Sequence, residues 1–166
     1  MHKLSYKHMK RFVDNYLPSR HKLSVLDVGS MDVNGSYKPL FVERNCSYTG
    51  VDIEEGQNVD MVVDVGHFQM SVGEYDVVVS GQCLEHTKYP WDVVGEMAFV
   101  TKPGGLVCII VPGSGPEHRF PIDCYRFFPD GMRALAEYAG LEVLECYSCW
   151  DEPGEDDEGN QWKDTV

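Results

Sequence analysis

The chain has 166 residues, with 14 Lys+Arg against 27 Asp+Glu and a formal net charge of −13. A field of that sign repels phosphate backbones and disfavours sequence-independent nucleic-acid binding. With 43% hydrophobic and 25% charged residues, the composition excludes a mainly disordered chain and is enough to bury a core in one domain spanning residues 1–166.

Tyr6, Met9, Val13, Tyr16 and Leu17 recur at helical spacing and Pro18 ends the pattern, so a basic amphipathic helix is expected within residues 1–22. That segment holds six Lys/Arg and one acid, Asp14. A solvated helix face accounts for the basic end; a local site for an anionic ligand is the alternative. Ser24–Val28 reads as a strand entering a turn at Gly29, Ser47–Asp52 as a second and Met61–Val63 as a short third. Tyr75–Ser80 is apolar on consecutive positions, as in a strand buried on both faces. Pro90–Val100 is helical, and Lys102-Pro103-Gly104-Gly105 stops that helix and turns the chain. Leu106–Val111 is expected as a fifth strand. A helix follows from Pro129, with Met132, Leu135, Ala136 and Ala139 on one stripe and Gly140 at its end. Leu141–Cys149 alternates enough to predict a sixth strand, residues 151–160 an exposed acidic loop, and Gln161–Val166 a seventh strand. Strands alternating with helices predict an α/β fold. The expected architecture is a doubly wound, mainly parallel, Rossmann-like sheet of six to seven strands with helices on both faces.

The most informative tract runs from Val25 to Gly35. A buried strand ending in Gly brings backbone N–H groups to the carboxyl edge of the sheet, and Gly lets a ligand approach the main chain closely. Asp52 follows at the end of the second strand, where a carboxylate accepts hydrogen bonds from ribose hydroxyls. A tight strand-to-helix turn with an incidental Asp is the plainer alternative. Strand, Gly turn and spaced Asp together favour a nucleoside site.

Leu26-Asp27-Val28-Gly29, Gly50-Val51-Asp52, Tyr75–Ser80, Leu84-Glu85-His86 and Lys102-Pro103-Gly104-Gly105 occur in that order. In this order the chain resembles the class I S-adenosylmethionine-dependent methyltransferases, in particular the methyltransferase type 11 group. The resemblance spans Ser24 to Val111. It departs at Asp32-Val33-Asn34-Gly35-Ser36, where the family's loop is richer in Gly. It implies S-adenosylmethionine as cofactor and S-adenosylhomocysteine as product. Asp27, Gly29 and Ser30 would shape the pocket for the methionine portion. Asp52 would hold the ribose diol, and Ile53 would face the adenine. Asp64 would accept from the adenine amino group, with Val65 and Gly66 offering backbone contacts. Ser80, Gly81 and Gln82 would line the floor beneath the sulfonium.

A sulfonium is already an activated electrophile, so methyl transfer chiefly needs alignment and exclusion of water, with a base for some oxygen or nitrogen acceptors. Two tracts offer that base: Glu85-His86, and His118–Phe127, which is dense in His, Arg, Asp and Tyr. His118, Asp123 and His86 are therefore the expected catalytic residues, and residues 112–127 the expected acceptor loop. The alternative for the second tract is a structural loop in which Arg119 or Arg126 pairs with Asp123.

Other patterns carry less. Cys146 and Cys149 form a C-x-x-C pair, but on a predicted strand they face opposite sides. Cys83, His86, His118 and Cys124 lack zinc-ligand spacing, and the acidic loop lacks the ordered calcium ladder, so no metal is expected. No apolar leader follows Met1 and Leu106–Val111 is too short to span a bilayer, which predicts a cytoplasmic chain with reduced thiols. The predicted partner is a small-molecule or saccharide acceptor. Two rival readings remain: a non-catalytic methyltransferase-like partner module, and a dinucleotide-dependent oxidoreductase, against which the missing G-x-G-x-x-G counts.

Overall fold

The computed structural model describes residues 3–17, 22–63, 70, 73–150, 154–155 and 161–166. Seven strands form one sheet: β1 (Ser24–Val28), β2 (Ser47–Asp52), β3 (Met61–Val62), β4 (Tyr75–Gly81), β5 (Thr101–Ser114), β6 (Gly154–Glu155) and β7 (Gln161–Thr165). Their spatial order is β3-β2-β1-β4-β5-β7-β6. The first five run parallel, and β7 enters antiparallel to both β5 and β6. The order reverses between β1 and β4, the switch point at which open α/β sheets bind ligands.

Both faces of the sheet are buried, which is why β1 and β4 are apolar on consecutive positions. On one face Leu26, Val28 and Val78 pack with Val93, Val94 and Met97 of α3 (Pro90–Val100) and Met132 of α4 (Pro129–Tyr138). On the other, Val25, Val77, Val79 and Ile110 pack with Met9, Phe12 and Val13 of α1 (Lys3–Tyr16) and Phe41 of α2 (Lys38–Val42). Each such aliphatic side chain withdrawn from water contributes roughly 1.5–3 kcal/mol before entropy is charged against it. The expected doubly wound sheet with helices on both faces is present.

Three expectations change. Strand β5 extends beyond Leu106–Val111 at both ends and takes in Lys102–Gly105, the expected turn. Tyr75 pairs with Thr101 and Val77 with Leu106, so the Pro-Gly-Gly tract forms a bulge inside the strand. The predicted sixth strand over 141–149 is absent. Only its end finds a partner: Ser148 bridges Thr165, and Tyr147 and Val166 exchange both backbone hydrogen bonds. Residues 141–146 pair with no strand among the described residues, and alternation alone cannot make a strand without a neighbour to bond. Finally, the short α2 was not anticipated; Pro39 starts it, and Leu40 and Phe41 are its buried face. Most of the predicted acidic loop at 151–160 lies outside the described residues. No helix among the described residues is long and apolar enough to cross a membrane.

Candidate active site

A cleft of about 670 Å³ opens at the carboxyl ends of the parallel strands, on the switch point. Its first wall is the β1 turn. Gly29 has φ +78, and a Cβ there would lie 2.5 Å from Cys83 Sγ. Only Gly satisfies both the left-handed backbone and the close approach of the loop after β4. At the end of β4, a Cβ on Gly81 would run into the ring and hydroxyl of Tyr37. The two glycines thus leave main chain facing the cleft from adjacent strands.

Asp27, next to last in β1, is almost fully buried. The Tyr48 hydroxyl on β2 donates to its Oδ2, whereas Oδ1 has no hydrogen-bond partner. Burial pushes this carboxyl up to about 7, opposed by the Tyr48 hydrogen bond and reinforced by the nearby Asp52 charge. A buried polar atom without a partner is costly, and this one adjoins a cleft wall. Asp52 closes β2 and accepts from the backbone N–H of Met31 (3.0 Å) and of Ile53 (2.8 Å). Those bonds fix the carboxylate at the cleft edge and leave lone pairs for two hydroxyls. Ile53 is exposed beside it.

Ser30 also lines the cleft, its hydroxyl donating to the Asn58 carbonyl at 3.1 Å. Ser80 lies buried near the end of β4. Its hydroxyl is buried and donates to the Val28 carbonyl (2.8 Å), so it ties β4 to β1. Gln82, with φ +57, turns its amide to Asp164 on β7 at 3.2 Å, while its main chain borders the cleft. Asp64, Val65 and Gly66 lie outside the described residues.

At the other end of the cleft the two expected base tracts meet. His86 ends a single 3-10 turn, Leu84–His86, and its ring centroid is 4.7 Å from that of His118. His86 Nδ1 lies 2.6 Å from the Ile122 carbonyl. A carbonyl only accepts, so Nδ1 carries the proton and Nε2 is left with its lone pair. His118 is positioned by Asp123, whose Oδ2 accepts from the His118 backbone N–H (2.7 Å) and lies 3.6 Å from its Nδ1. Asp123 is itself clamped by both guanidinium nitrogens of Arg126, at 2.6 and 2.8 Å. That pair holds the Asp123 carboxyl far below the usual carboxylate range. Asp123 therefore stays ionised and positions His118; it is not disposed to take up a proton. Burial holds both imidazoles below the ordinary histidine value, so they are neutral at pH 7.

Sequence reasoning missed several residues that shape this site. Tyr48 acts from the neighbouring strand β2, Tyr37 from the start of α2 and Cys83 from the loop after β4, and Trp162 on β7 packs edge-on against His118 at 4.7 Å. None belongs to a local motif; only the tertiary fold brings them in. Glu85, offered in the sequence with His86 as one of the two base tracts, is fully buried beneath both imidazoles.

A family profile described as a methyltransferase domain matches residues 1–146. An uncharacterized methyltransferase of Mycobacterium avium is 28% identical over 131 residues, covering 70% of this chain and 50% of that protein. The chain spans about half the length, or less, of the curated relatives it matches. Among solved structures, a SAM-dependent methyltransferase of Methanosarcina mazei superposes with TM-score 0.74 at 14% identity, covering 93% of this chain and 94% of that one. The 1,6-didemethyltoxoflavin N1-methyltransferase of Burkholderia thailandensis, solved with its acceptor and S-adenosylhomocysteine, gives TM-score 0.71 at 15% identity, covering 97% and 76%.

Proposed function

The chain belongs to the methyltransferase domain family, and from that premise we propose that its cleft binds S-adenosylmethionine and serves methyl transfer to a small-molecule or saccharide acceptor. One observation carries the reading: a Gly-walled cleft at the switch point, with the unpartnered Asp27 Oδ1 at one end and Asp52 at its edge. These groups fit the cofactor. Its ammonium and sulfonium ends are cations that a buried carboxylate would satisfy, and its ribose diol matches the free lone pairs of Asp52. Bound there, the cofactor supplies a methyl group on an activated sulfonium.

The residues divide the remaining work. Asp27, Gly29 and Ser30 take the methionine portion, Asp52 the ribose, and Ile53 covers one side of the adenine. Asp64 and Val65 are the proposed adenine-end contacts. Gly81 and the main chain of Gln82 form the floor, with Ser80 bracing it from below. His86 and His118 stand at the acceptor end as neutral imidazoles, able to receive what an acceptor sheds on methylation. Asp123 and Arg126 hold His118 in place, and Phe120, exposed at the mouth, shields the reacting atoms from water. A cytoplasmic setting is part of this proposal, and the net charge of −13 favours a neutral or cationic acceptor over nucleic acid.

Asp52→Ala tests the assignment. Loss of hydrogen bonds to a charged acceptor weakens S-adenosylmethionine binding by about 1.5–3 kcal/mol, read by calorimetric titration. Unchanged affinity would overturn the placement of the ribose.

A further inference from the structure

Beneath the paired imidazoles lies a group that methyl transfer does not need. The Glu85 side chain is fully buried, and neither of its carboxyl oxygens has a hydrogen-bond partner. Oε1 faces His86 Nε2 at 3.7 Å and His118 Nε2 at 4.0 Å. Both separations are too long for hydrogen bonds, so a proton on Glu85 would satisfy neither ring. Three electron-pair donors from two separate tracts thus converge within 4.8 Å of one another. Arg126, whose two terminal nitrogens are held by Asp123, makes no hydrogen bond to Glu85.

We propose that Glu85, His86 and His118 bind a divalent transition-metal cation at the acceptor end of the cleft. Two imidazole nitrogens and one carboxylate oxygen suit Zn²⁺, Co²⁺, Mn²⁺ or Fe²⁺, whereas Mg²⁺ and Ca²⁺ favour all-oxygen sets. One of the two histidines has its outer support in place. His86 Nδ1 donates to the Ile122 carbonyl at 2.6 Å and His118 Nδ1 faces Asp123 at 3.6 Å. The His86 bond selects the tautomer that turns its Nε2 inward, the arrangement that orients metal-ligating histidines, whereas His118 Nδ1 makes no hydrogen bond and its ring is placed by the Asp123 charge and the bonded backbone N–H. An ion about 2.1 Å from each donor brings adjacent ligands to about 3.0–3.6 Å apart. Binding therefore draws the donors together by about 1 Å, with the part-exposed His118 ring moving most. Three protein ligands leave positions open, and both histidines line the cleft, so those positions face it. That is the form of a site that accepts an outside oxygen ligand, not of a closed structural site.

The site uses the same imidazoles that the base reading uses, so a metal-loaded chain excludes His86 and His118 as bases, and the experiment scores metal and cofactor binding separately. The purified chain is stripped with a chelator and desalted, then titrated with Co²⁺ by visible absorption and with Zn²⁺ in competition with a chromophoric chelator. A parallel calorimetric titration with S-adenosylmethionine scores the other reading. The site predicts one ion per chain, visible cobalt bands without thiolate charge-transfer absorption, and affinity weakened at least about tenfold in His86→Ala and in His118→Ala. Glu85→Gln weakens it similarly. Should that core variant fail to fold, the two histidine variants, whose rings are less buried, decide alone. No saturable binding, thiolate bands, or affinity unchanged in both histidine variants would overturn the proposal. Metal binding that follows the variants upholds the site even where S-adenosylmethionine does not bind, an outcome that would instead sink the methyl-transfer reading.

Discussion

At the scale of single residues, Asp27 ties stability to pH. Its carboxyl sits at about 7 in the fold against an ordinary 3.8, chiefly through burial. Below about pH 3.8 folded and unfolded chains both hold this proton; between 3.8 and 7 only the folded chain does. The unfolded state then binds fewer protons, so stability falls as pH rises across that window, by on the order of 4 kcal/mol at most. Asp27→Asn flattens that part of a profile of melting temperature against pH; an unchanged profile would assign the titration elsewhere. Gly29 gives a second test. Alanine there must adopt φ +78 and displace Cys83, so thermal unfolding of Gly29→Ala shows a loss of more than about 2 kcal/mol. A loss below 1 kcal/mol would contradict the close approach described. Asp27, Gly29 and Asp52 were legible in the sequence because strand ends and spacing locate them. Their partners Tyr48 and Cys83 were not, since a neighbour distant in sequence is set by the tertiary fold, which no local pattern states.

Among elements, β7 matters most to the acceptor end. It runs antiparallel to β5, and its Trp162 is buried against His118, with the Arg126 guanidinium 5.8 Å from its ring centroid. Trp162→Ala should cost about 3–5 kcal/mol and loosen residues 113–127. Because β7 lies away from Asp27 and Asp52, cofactor affinity in that variant stays within about threefold, whereas methyl transfer falls further; equal losses in both would place β7 at the cofactor instead. The parallel core strands were readable from their continuous apolar runs, and α1, α3 and α4 from their stripes and Pro starts. The β5 bulge was not, because Pro-Gly-Gly normally reads as a turn and only pairing with Tyr75 and Val77 absorbs it into a strand. The 141–149 tract failed for the converse reason: its alternation is real, but β7 offers an edge only to its last residues.

Over the whole molecule, alternation of strands and helices was enough to predict the doubly wound sheet, and the order of five short motifs was enough to suggest the family. Two cations of the basic N-terminal segment make surface pairs: Lys10 bonds Asp14 and Arg11 bonds Glu145, each at 2.5 Å. Those exposed pairs are worth at most about 1 kcal/mol each and accord with a solvated helix face. The convergence of Glu85, His86 and His118 could not be read in advance, because it depends on the fold returning residues 112–127 over the end of β4. The cofactor remains the hinge of the account. The most direct test is calorimetric titration of the purified chain with S-adenosylmethionine, S-adenosylhomocysteine and NAD. Saturable one-to-one binding of the first two, with NAD silent, is the predicted result. Binding of NAD instead, or of none of the three, would contradict it.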